Sequence, residues 1–241
     1  MAAGRTSVSL ILPIYNEAAN LRRNFDEIYR EMVRIGDFEI IIAEDGSTDG
    51  SKDIAKELAA SKRNVKLLSF RDRSGRGAAL KRAIRVANGD VIGYIDIDLA
   101  VPLRYVKDAV RMINHGCDIV AGSRYRGTRI RRSTIRLIAS KSYNIFVNIV
   151  TGSRLDDHQC GFKFWKKGFI KKEAKAARDN HWFFDTEVLL DAQRQGLRVC
   201  AIPVQWQEHR ESKVKADDPA YFIRAVIRYR MSKGRVQSKG Y

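Results

Sequence analysis

The chain has 241 residues, with 45 Lys and Arg against 28 Asp and Glu, which gives a formal net charge of +17. A hydrophobic content of 44% suffices for a buried core, and its apolar runs fall far short of the roughly 20 residues that span a bilayer. These values disfavour a disordered tract and a membrane-spanning protein, and the charge favours anionic partners such as nucleic acid, a membrane face or a polyphosphate. The three widely spaced cysteines, Cys117, Cys160 and Cys200, predict neither a disulfide framework nor a zinc site. The N-terminus also lacks the apolar segment of a signal peptide. Together with the cysteine spacing, this predicts a reducing, intracellular setting.

The first half of the chain alternates strand and helix patterns. The strands are predicted at Val8–Ile14, Phe38–Ala43, Val65–Phe70 and Val91–Ile95, and the helices at about Glu17–Ile35, at about Gly50–Ala60 and after Gly75 and Gly77. Strand and helix alternate at βαβ spacing, which predicts an α/β fold with a doubly wound, mostly parallel sheet and flanking helices.

The second half has a looser pattern of the same kind. It predicts a helix ending at His115, strands at Ile119–Ala121, Phe162–Trp165 and Leu197–Ile202, and helices at about Thr134–Val150, Gly168–Ala177, Thr186–Gln195 and Ala220–Met231. No internal repeat or linker interrupts the chain, so we expect one domain over residues 1–241.

Asp96 and Asp98 are the most informative local feature. They follow a buried strand and are one residue apart, so strand alternation directs both carboxylates to one side. Two adjacent anions require a cation or a shared proton, and a divalent metal that also holds a diphosphate meets this need. An ordinary turn or helix cap is the alternative. Polar residues also follow the other parallel strands, where ligands bind in such sheets.

Basic residues concentrate in two stretches. Six arginines and no acidic residue lie between Arg124 and Arg136, and a second basic region runs from Arg224 to Lys239. Either stretch is also consistent with an ordinary solvated face.

Four segments of the first half, VSLILPIYNEAANL, IIIAEDGSTDGS, GRGAALKRAI and GDVIGYIDIDLA, occur in the order and spacing of a known family. They resemble the family 2 glycosyltransferases, which have the Rossmann-like GT-A fold. DIVAGSRY, DDHQCGFKFW, WFFDTEVLL and IPVQWQEHRESKV extend the similarity to polyprenyl-phosphate sugar transferases. The pattern is most similar to the dolichyl-phosphate glucosyltransferases and slightly less so to the dolichol-phosphate mannose synthases. The resemblance implies a nucleotide-binding half (1–103), an acceptor half (104–218) and a basic amphipathic C-terminal segment (219–241).

The resemblance implies a nucleotide pocket lined by Pro13, Tyr15 and Glu17, with the tyrosine ring beside the base. Asp45 would accept a hydrogen bond from uracil or guanine, so UDP and GDP both remain open. Gly77, with Gly75, would let the backbone approach the donor; a tight helix entry is the alternative.

The resemblance further implies that Asp96 and Asp98 hold Mg²⁺ or Mn²⁺ on the donor diphosphate, Asp98 more directly. Mannose synthases carry a glutamine two residues after the second aspartate, whereas this chain has Ala100. We therefore expect the nucleotide sugar to complete the metal site and mannose to be disfavoured.

Phosphate contacts are expected from arginines and a lysine. Arg124, with Arg132 or Arg136, would hold the acceptor phosphate. Arg210 and Lys213 would close over the donor phosphates.

Two further aspartates have open roles. Asp157 or Asp185 would act as a general base if the acceptor were a hydroxyl. With a phosphate acceptor, Asp185 would instead orient an arginine or a sugar hydroxyl. His158, as a lone loop histidine, is predicted to be polar surface.

A lipid acceptor would require contact with a membrane surface. Candidate contact residues on two helices are Ile135, Ile138, Tyr143, Phe146 and Ile149, and Tyr221, Phe222, Ile223, Val226 and Ile227 with Arg224, Arg228 and Arg230. Packing on the core or on another subunit is the alternative. The expected protein is cytoplasmic and peripheral on the cytoplasmic face of an anionic membrane.

The function that the resemblance implies is inverting transfer of a sugar, glucose first, from a UDP-sugar to a polyprenyl phosphate. One alternative is a family 2 glycosyltransferase acting on a saccharide or protein hydroxyl. Another is a basic nucleic-acid-binding protein, although no nucleic acid is expected as a partner. A nucleotide-binding protein without transferase activity is a further alternative. The sugar, the lipid length and the oligomeric state stay open.

Overall fold

The computed structural model describes residues 6–126, 130–131, 134–207 and 219–236, except for the side chains of residues 130, 131, 134 and 136. The strands are β1 (Val8–Ile14), β2 (Phe38–Glu44), β3 (Val65–Ser69), β4 (Val91–Ile95), β5 (Ile119–Ser123), β6 (Ile130–Arg131), β7 (Phe162–Lys166), β8 (Val199–Pro203) and β9 (Trp206–Gln207). The helices are α1 (Ala18–Ile35), α2 (Ser51–Ser61), α3 (Arg76–Val86), α4 (Arg104–Asn114), α5 (Thr134–Thr151), α6 (Lys167–Ala176), α7 (Phe184–Arg194) and α8 (Pro219–Lys233). Apart from the two-residue strands β6 and β9, which the sequence did not predict, each element lies within about two residues of its predicted bounds.

A seven-stranded sheet in the order β3-β2-β1-β4-β7-β5-β8 forms the centre of the fold. All its neighbours pair in parallel except β7, which runs antiparallel to β4 and β5. The mostly parallel α/β sheet is thus confirmed. Because β7 is reversed, its first residues lie at the edge where the parallel strands end.

Alternating side chains of the buried strands supply two cores, one on each face of the sheet. In β1, Leu10 and Leu12 belong to one core and Ile11 to the other. Helices α1, α2 and α4 cover the first face, and α3, α6 and α7 cover the second. The helix faces follow the 3.6-residue period, as the buried Leu21 and Phe25 of α1 illustrate.

A third, smaller core joins the C-terminal helix to the domain. It includes Val147 of α5, Leu190 of α7 and Val226 of α8. The Tyr229 hydroxyl donates a 2.8 Å hydrogen bond to Asp191 Oδ1, which fixes α8 against α7.

The expected exposed face of α5 needs correction. Tyr143 and Phe146 pack partly against the third core, because they lie on the side that faces α7 and α8. The exposed large apolar side chains of α5 are instead Ile135, Ile138, Ile145 and Ile149. In α8, Val226 is buried, whereas Ile223 and Ile227 are exposed, as is Met231.

The prediction about cysteines was also wrong in one respect. Cys117 and Cys200 form a disulfide across 83 residues, with their Cα atoms 6.0 Å apart. Parallel pairing of β5 with β8, with Ile119 opposite Val199, brings the two positions together. Cys160 is a buried thiol. The cysteine pattern therefore gives no support to a reducing compartment.

Across the described ranges, no helix combines the length and apolar character needed to cross a bilayer.

Candidate active site

The loops after β1 and β2 are locked together at the carboxyl edge of the sheet. Asn16 adopts a left-handed backbone conformation with φ of 53°, which is uncommon outside glycine. Its N–H donates to Ser47 Oγ at 3.0 Å, and its Oδ1 accepts from the Thr48 N–H at 2.8 Å. These bonds hold the segment after Pro13, where the nucleotide pocket was predicted, against the loop that follows Asp45.

Asp45 is buried at this edge with a defined environment. Its two carboxylate oxygens accept hydrogen bonds of 2.8 Å from the backbone N–H groups of Ser74 and Gly75. The carboxylate therefore fixes the loop before α3. Each oxygen retains a second lone pair, so the predicted contact with a nucleotide base is chemically compatible with these bonds.

Tyr15 and Glu17 lie in the short segment between β1 and α1. The Arg73 guanidinium lies 4.1 Å from the centroid of the Tyr15 ring, which is within cation–π range. Glu17 precedes α1 and accepts a 2.6 Å hydrogen bond from Asn20 Nδ2. Tyr15 thus stacks with a cation from the loop between β3 and α3.

Asp96 and Asp98 lie in a tight turn at the end of β4. The Leu99 N–H donates to Asp96 O at 3.1 Å, and Leu99 has a positive φ of 55°. Asp98 Oδ1 accepts a 3.0 Å hydrogen bond from the Ala100 N–H. The turn alternative therefore holds for Asp98, and it leaves both carboxylates partly exposed at the edge where ligands bind.

The chemistry of this pair fits a hard divalent cation. Both side chains offer carboxylate oxygens, the donors that Mg²⁺ and Mn²⁺ prefer. Among the described residues, no group of three or more His, Cys, Asp or Glu side chains is placed to bind a metal. A cation held by Asp96 and Asp98 would thus depend on ligand oxygens or water for its remaining coordination.

Arg76 is a site residue that sequence reasoning missed. Its Nη2 donates a 2.6 Å hydrogen bond to Asp96 Oδ1. Its guanidinium also lies 5.1 Å from the Tyr94 ring and 5.2 Å from the Trp182 ring. Burial disfavours the cation, but Asp96 raises the pKa of Arg76 above its usual range. Its position between two glycines was the one signal in the sequence that could have indicated a site residue. Its pairing with Asp96 is visible only in three dimensions.

Gly75 and Gly77 are required by close packing inside the protein. A Cβ on Gly75 would lie 2.4 Å from the His181 ring, and one on Gly77 would lie 2.8 Å from the backbone of Asn180. The Ala78 N–H donates a 2.9 Å hydrogen bond to Asn180 O. Both glycines thus serve a tight entry into α3, which was the alternative explanation. Contact of Gly77 with the donor stays a prediction.

Asp185 is enclosed by a buried polar network. Its Oδ1 accepts a 2.5 Å hydrogen bond from Tyr94 Oη and lies 3.7 Å from Lys163 Nζ. Lys163 is fully buried and donates to Tyr94 Oη at 3.3 Å and to Cys160 O at 2.6 Å. Burial, followed by Asp185, raises the pKa of Tyr94 well above its usual range. Tyr94 thus connects Asp185 to Arg76, which lies against the Tyr94 ring. Lys163 is a member of this network that sequence reasoning missed.

Arg124 forms a buried, bidentate ion pair with Asp157. Nε and Nη2 donate to the two carboxylate oxygens at 2.7 and 2.8 Å, and the Arg124 backbone N–H adds a 3.1 Å bond. Burial opposes ionisation of Asp157, but Arg124 outweighs it and lowers the pKa of that carboxyl. Any acceptor phosphate held by Arg124 would share the guanidinium with this carboxylate.

His158 is buried, contrary to the prediction of a polar surface. Its Nδ1 lies 2.7 Å from Asn144 Oδ1, which can only accept, so Nδ1 carries the proton. Its Nε2 lies 2.9 Å from Ser153 Oγ. Burial lowers the pKa of His158 to about 4. This neutral imidazole fixes the loop that carries Asp157.

Several predicted phosphate contacts fall outside the description. Arg132, Arg210 and Lys213 lie outside the described residues, and Arg136 lies in α5 without a described side chain. Their roles stay predictions.

A mostly parallel sheet with paired aspartates at a strand end, on the same edge as the loops after β1 and β2, defines a GT-A fold. Residues 9–176 match the family described as glycosyl transferase family 2. The chain belongs to this family.

The relatives agree with that assignment. The chain is 39% identical over 218 residues to "Glycosyltransferase AglD" of Haloferax volcanii, covering 88% of this chain and 35% of that protein. It is 31% identical over 222 residues to "Dolichyl-phosphate beta-glucosyltransferase ALG5D" of Trichomonas vaginalis, covering 86% and 68%. The chain thus spans about a third of the first relative and about two thirds of the second.

Among solved structures, glucosyl-3-phosphoglycerate synthase of Mycobacterium tuberculosis, in complex with Mn²⁺, UDP and phosphoglyceric acid, superimposes with a TM-score of 0.72 at 20% identity. The match covers 98% of this chain and 81% of that one. It confirms the GT-A fold.

Proposed function

We propose that this chain is an inverting glycosyltransferase that moves a hexose from a UDP-sugar to a polyprenyl phosphate of the dolichyl type. Glucose is the favoured sugar. The observation that carries the proposal is the placement of Asp96 and Asp98 at the end of β4, in a chain related to dolichyl-phosphate glucosyltransferases.

The proposed reaction is a single displacement. An oxygen of the acceptor phosphate forms a bond to the anomeric carbon, and the bond from that carbon to the β-phosphate oxygen breaks. The bonding electrons leave with the nucleoside diphosphate, and the sugar configuration inverts. Mg²⁺ or Mn²⁺, when bound, would stabilise the charge that grows on the diphosphate.

The protein's own residues would orient the two anions. Asp96 and Asp98 would hold the cation, and Asp45, with Tyr15 beside the base, would hold the nucleotide. Pro13 and Glu17 would line the same pocket, as the family resemblance implies. Arg210 and Lys213 would close over the donor phosphates and exclude water.

The environment of the other two aspartates favours a phosphate acceptor over a hydroxyl. A hydroxyl must lose its proton to a base, whereas a phosphate monoester is already anionic near neutral pH. Asp157 is bound on both oxygens by Arg124, and its lowered pKa makes it a poor base. Asp185 already accepts from the Tyr94 hydroxyl. We assign Asp185 to orienting neighbouring groups, and Arg124 with Arg132 or Arg136 to the acceptor phosphate.

The surface of α5 and α8 supports peripheral contact with an anionic membrane, and its location on the cytoplasmic face stays a prediction. Exposed isoleucines on α5 lie on the same side of the helix at i, i+3, i+10 and i+14. Helix α8 adds Ile223, Ile227 and Met231 beside several arginines. An apolar strip with a basic border matches an anionic lipid interface.

Incubation with Mn²⁺ or Mg²⁺, a polyprenyl phosphate and a panel of nucleotide sugars tests the proposal. We expect a glycolipid from UDP-glucose and less from GDP-mannose. A folded protein that yields no product with any donor contradicts it. Transfer to a saccharide or peptide hydroxyl, abolished by Asp157→Asn or Asp185→Asn at unchanged donor affinity, would favour the hydroxyl-acceptor alternative. Tight RNA or DNA binding at physiological salt, with no nucleotide-sugar binding, would favour the nucleic-acid alternative.

A further inference from the structure

Arg76 is paired with a carboxylate that the proposed metal would need as a ligand. Its Nη2 is 2.6 Å from Asp96 Oδ1. The other carboxylate oxygen, Oδ2, faces Gly161 so closely that a Cβ on this residue would overlap it. Asp96 is therefore confined between a cation and a backbone segment.

Two aromatic rings hold the guanidinium at this contact. The rings of Tyr94 and Trp182 flank it within cation–π range, and its side chain is 14% exposed. Its Nε is buried and has no hydrogen-bond partner among the described residues. A buried donor without an acceptor is costly, and a ligand oxygen would satisfy it.

We propose that Arg76 is a positioning residue that neutralises Asp96 while the donor is absent and releases it when metal and nucleoside diphosphate bind together. The inference rests on the proposed function, because it assumes that Asp96 becomes a metal ligand. Arg76 then turns its freed donors towards the diphosphate oxygens.

The consequence is coupled binding. A divalent cation alone must displace Arg76 from Asp96 and meet an uncompensated positive charge. With a diphosphate present, that charge gains an anionic partner and the displacement costs less. Metal and nucleotide therefore raise each other's affinity by more than shared coordination alone provides.

Mn²⁺ binding measured from the electron paramagnetic resonance signal of the free ion tests this without any transfer reaction. We expect Arg76→Met to bind Mn²⁺ in the absence of nucleotide about tenfold more tightly than the wild type. We expect UDP to increase Mn²⁺ affinity by a smaller factor in this variant. Arg76→Lys, which keeps the charge, should stay near the wild type.

Arg82→Met is the matched control. Arg82 is on the same helix, is exposed and lies over the Phe70 ring rather than beside an aspartate. The same loss of charge there should leave Mn²⁺ affinity unchanged. Equal or weaker Mn²⁺ binding by Arg76→Met, or an equal gain in Arg82→Met, would overturn the proposal.

A second measurement needs no Arg76 variant and remains informative if that variant fails to fold. Movement of Arg76 off the Trp182 ring should change the fluorescence of Trp182 when UDP and Mn²⁺ bind together. The change should be absent in Trp182→Phe. An identical response in both proteins would show that Arg76 does not move and would overturn the inference. If the wild type binds neither UDP nor Mn²⁺, the proposed function fails as well.

Discussion

Asp157→Asn isolates the strength of the buried ion pair beside the proposed acceptor site. The variant keeps the size of the side chain but removes the charge that compensates Arg124. The pair has two contacts of 2.7 and 2.8 Å, and its side chains are 0% and 10% exposed. Removing one partner of a buried pair costs about 3–5 kcal/mol. In a chain of this length the melting temperature should fall by roughly 10 °C.

A neighbouring pair supplies a matched control. Arg126 Nε lies 2.7 Å from Asp156 Oδ2, but its side chain is 54% exposed. Asp156→Asn should therefore cost at most about 1 kcal/mol. Urea unfolding followed by circular dichroism measures both variants. A cost for Asp157→Asn no larger than that for Asp156→Asn would refute the reasoning.

The same pair predicts part of the acid sensitivity of the fold. The pKa of Asp157 is lowered in the folded state, so its contribution to the free energy of unfolding is fully present above the unfolded pKa of about 4. That contribution should be lost as pH falls through the lower folded pKa. The corresponding slope should be missing in Asp157→Asn.

Three further predictions concern other parts of the molecule. Since the pKa of His158 is lowered to about 4, the free energy of unfolding should fall by about 3 kcal/mol between pH 7 and pH 4. Urea titrations at each pH measure this change, and His158→Gln should lack it. Cys117→Ser should lower stability by about 2–4 kcal/mol, and a reductant should lower the melting temperature of the wild type but not of the variant; an unchanged wild type contradicts the disulfide. Ile149→Glu should reduce co-flotation with anionic liposomes at low salt while the exposed control Val33→Glu does not; equal flotation of the two contradicts the assigned membrane surface.

Much of the fold followed from patterns that are local in sequence. Continuous apolar runs marked the buried parallel strands, and glycine at positions 50 and 75 marked the starts of two helices, where each has a positive φ. The order of the strands required the three-dimensional arrangement. The reversed β7 in particular could not be read from periodicity, because a short aromatic run is compatible with either direction.

Residues of the candidate site could be predicted where they directly follow a parallel strand, because the carboxyl ends of these strands share one edge of the sheet. Asp45, Asp96 and Asp98 were found in this way. Arg76 and Lys163 were not, because their roles depend on partners 20 and 22 residues away, as in the Arg76–Asp96 and Lys163–Asp185 pairs. The Cys117–Cys200 disulfide was missed for the same reason.

The most direct test of the account is glycolipid formation by the wild type and by Asp98→Asn, with UDP-glucose, polyprenyl phosphate and Mn²⁺. Asp108→Asn, the same change at a half-exposed position on α4, is the control. We expect product from the wild type and the control, and a loss of at least about a hundredfold in Asp98→Asn without a change in stability. Full activity in Asp98→Asn, or no glycolipid from the folded wild type with any donor, would contradict the central claim.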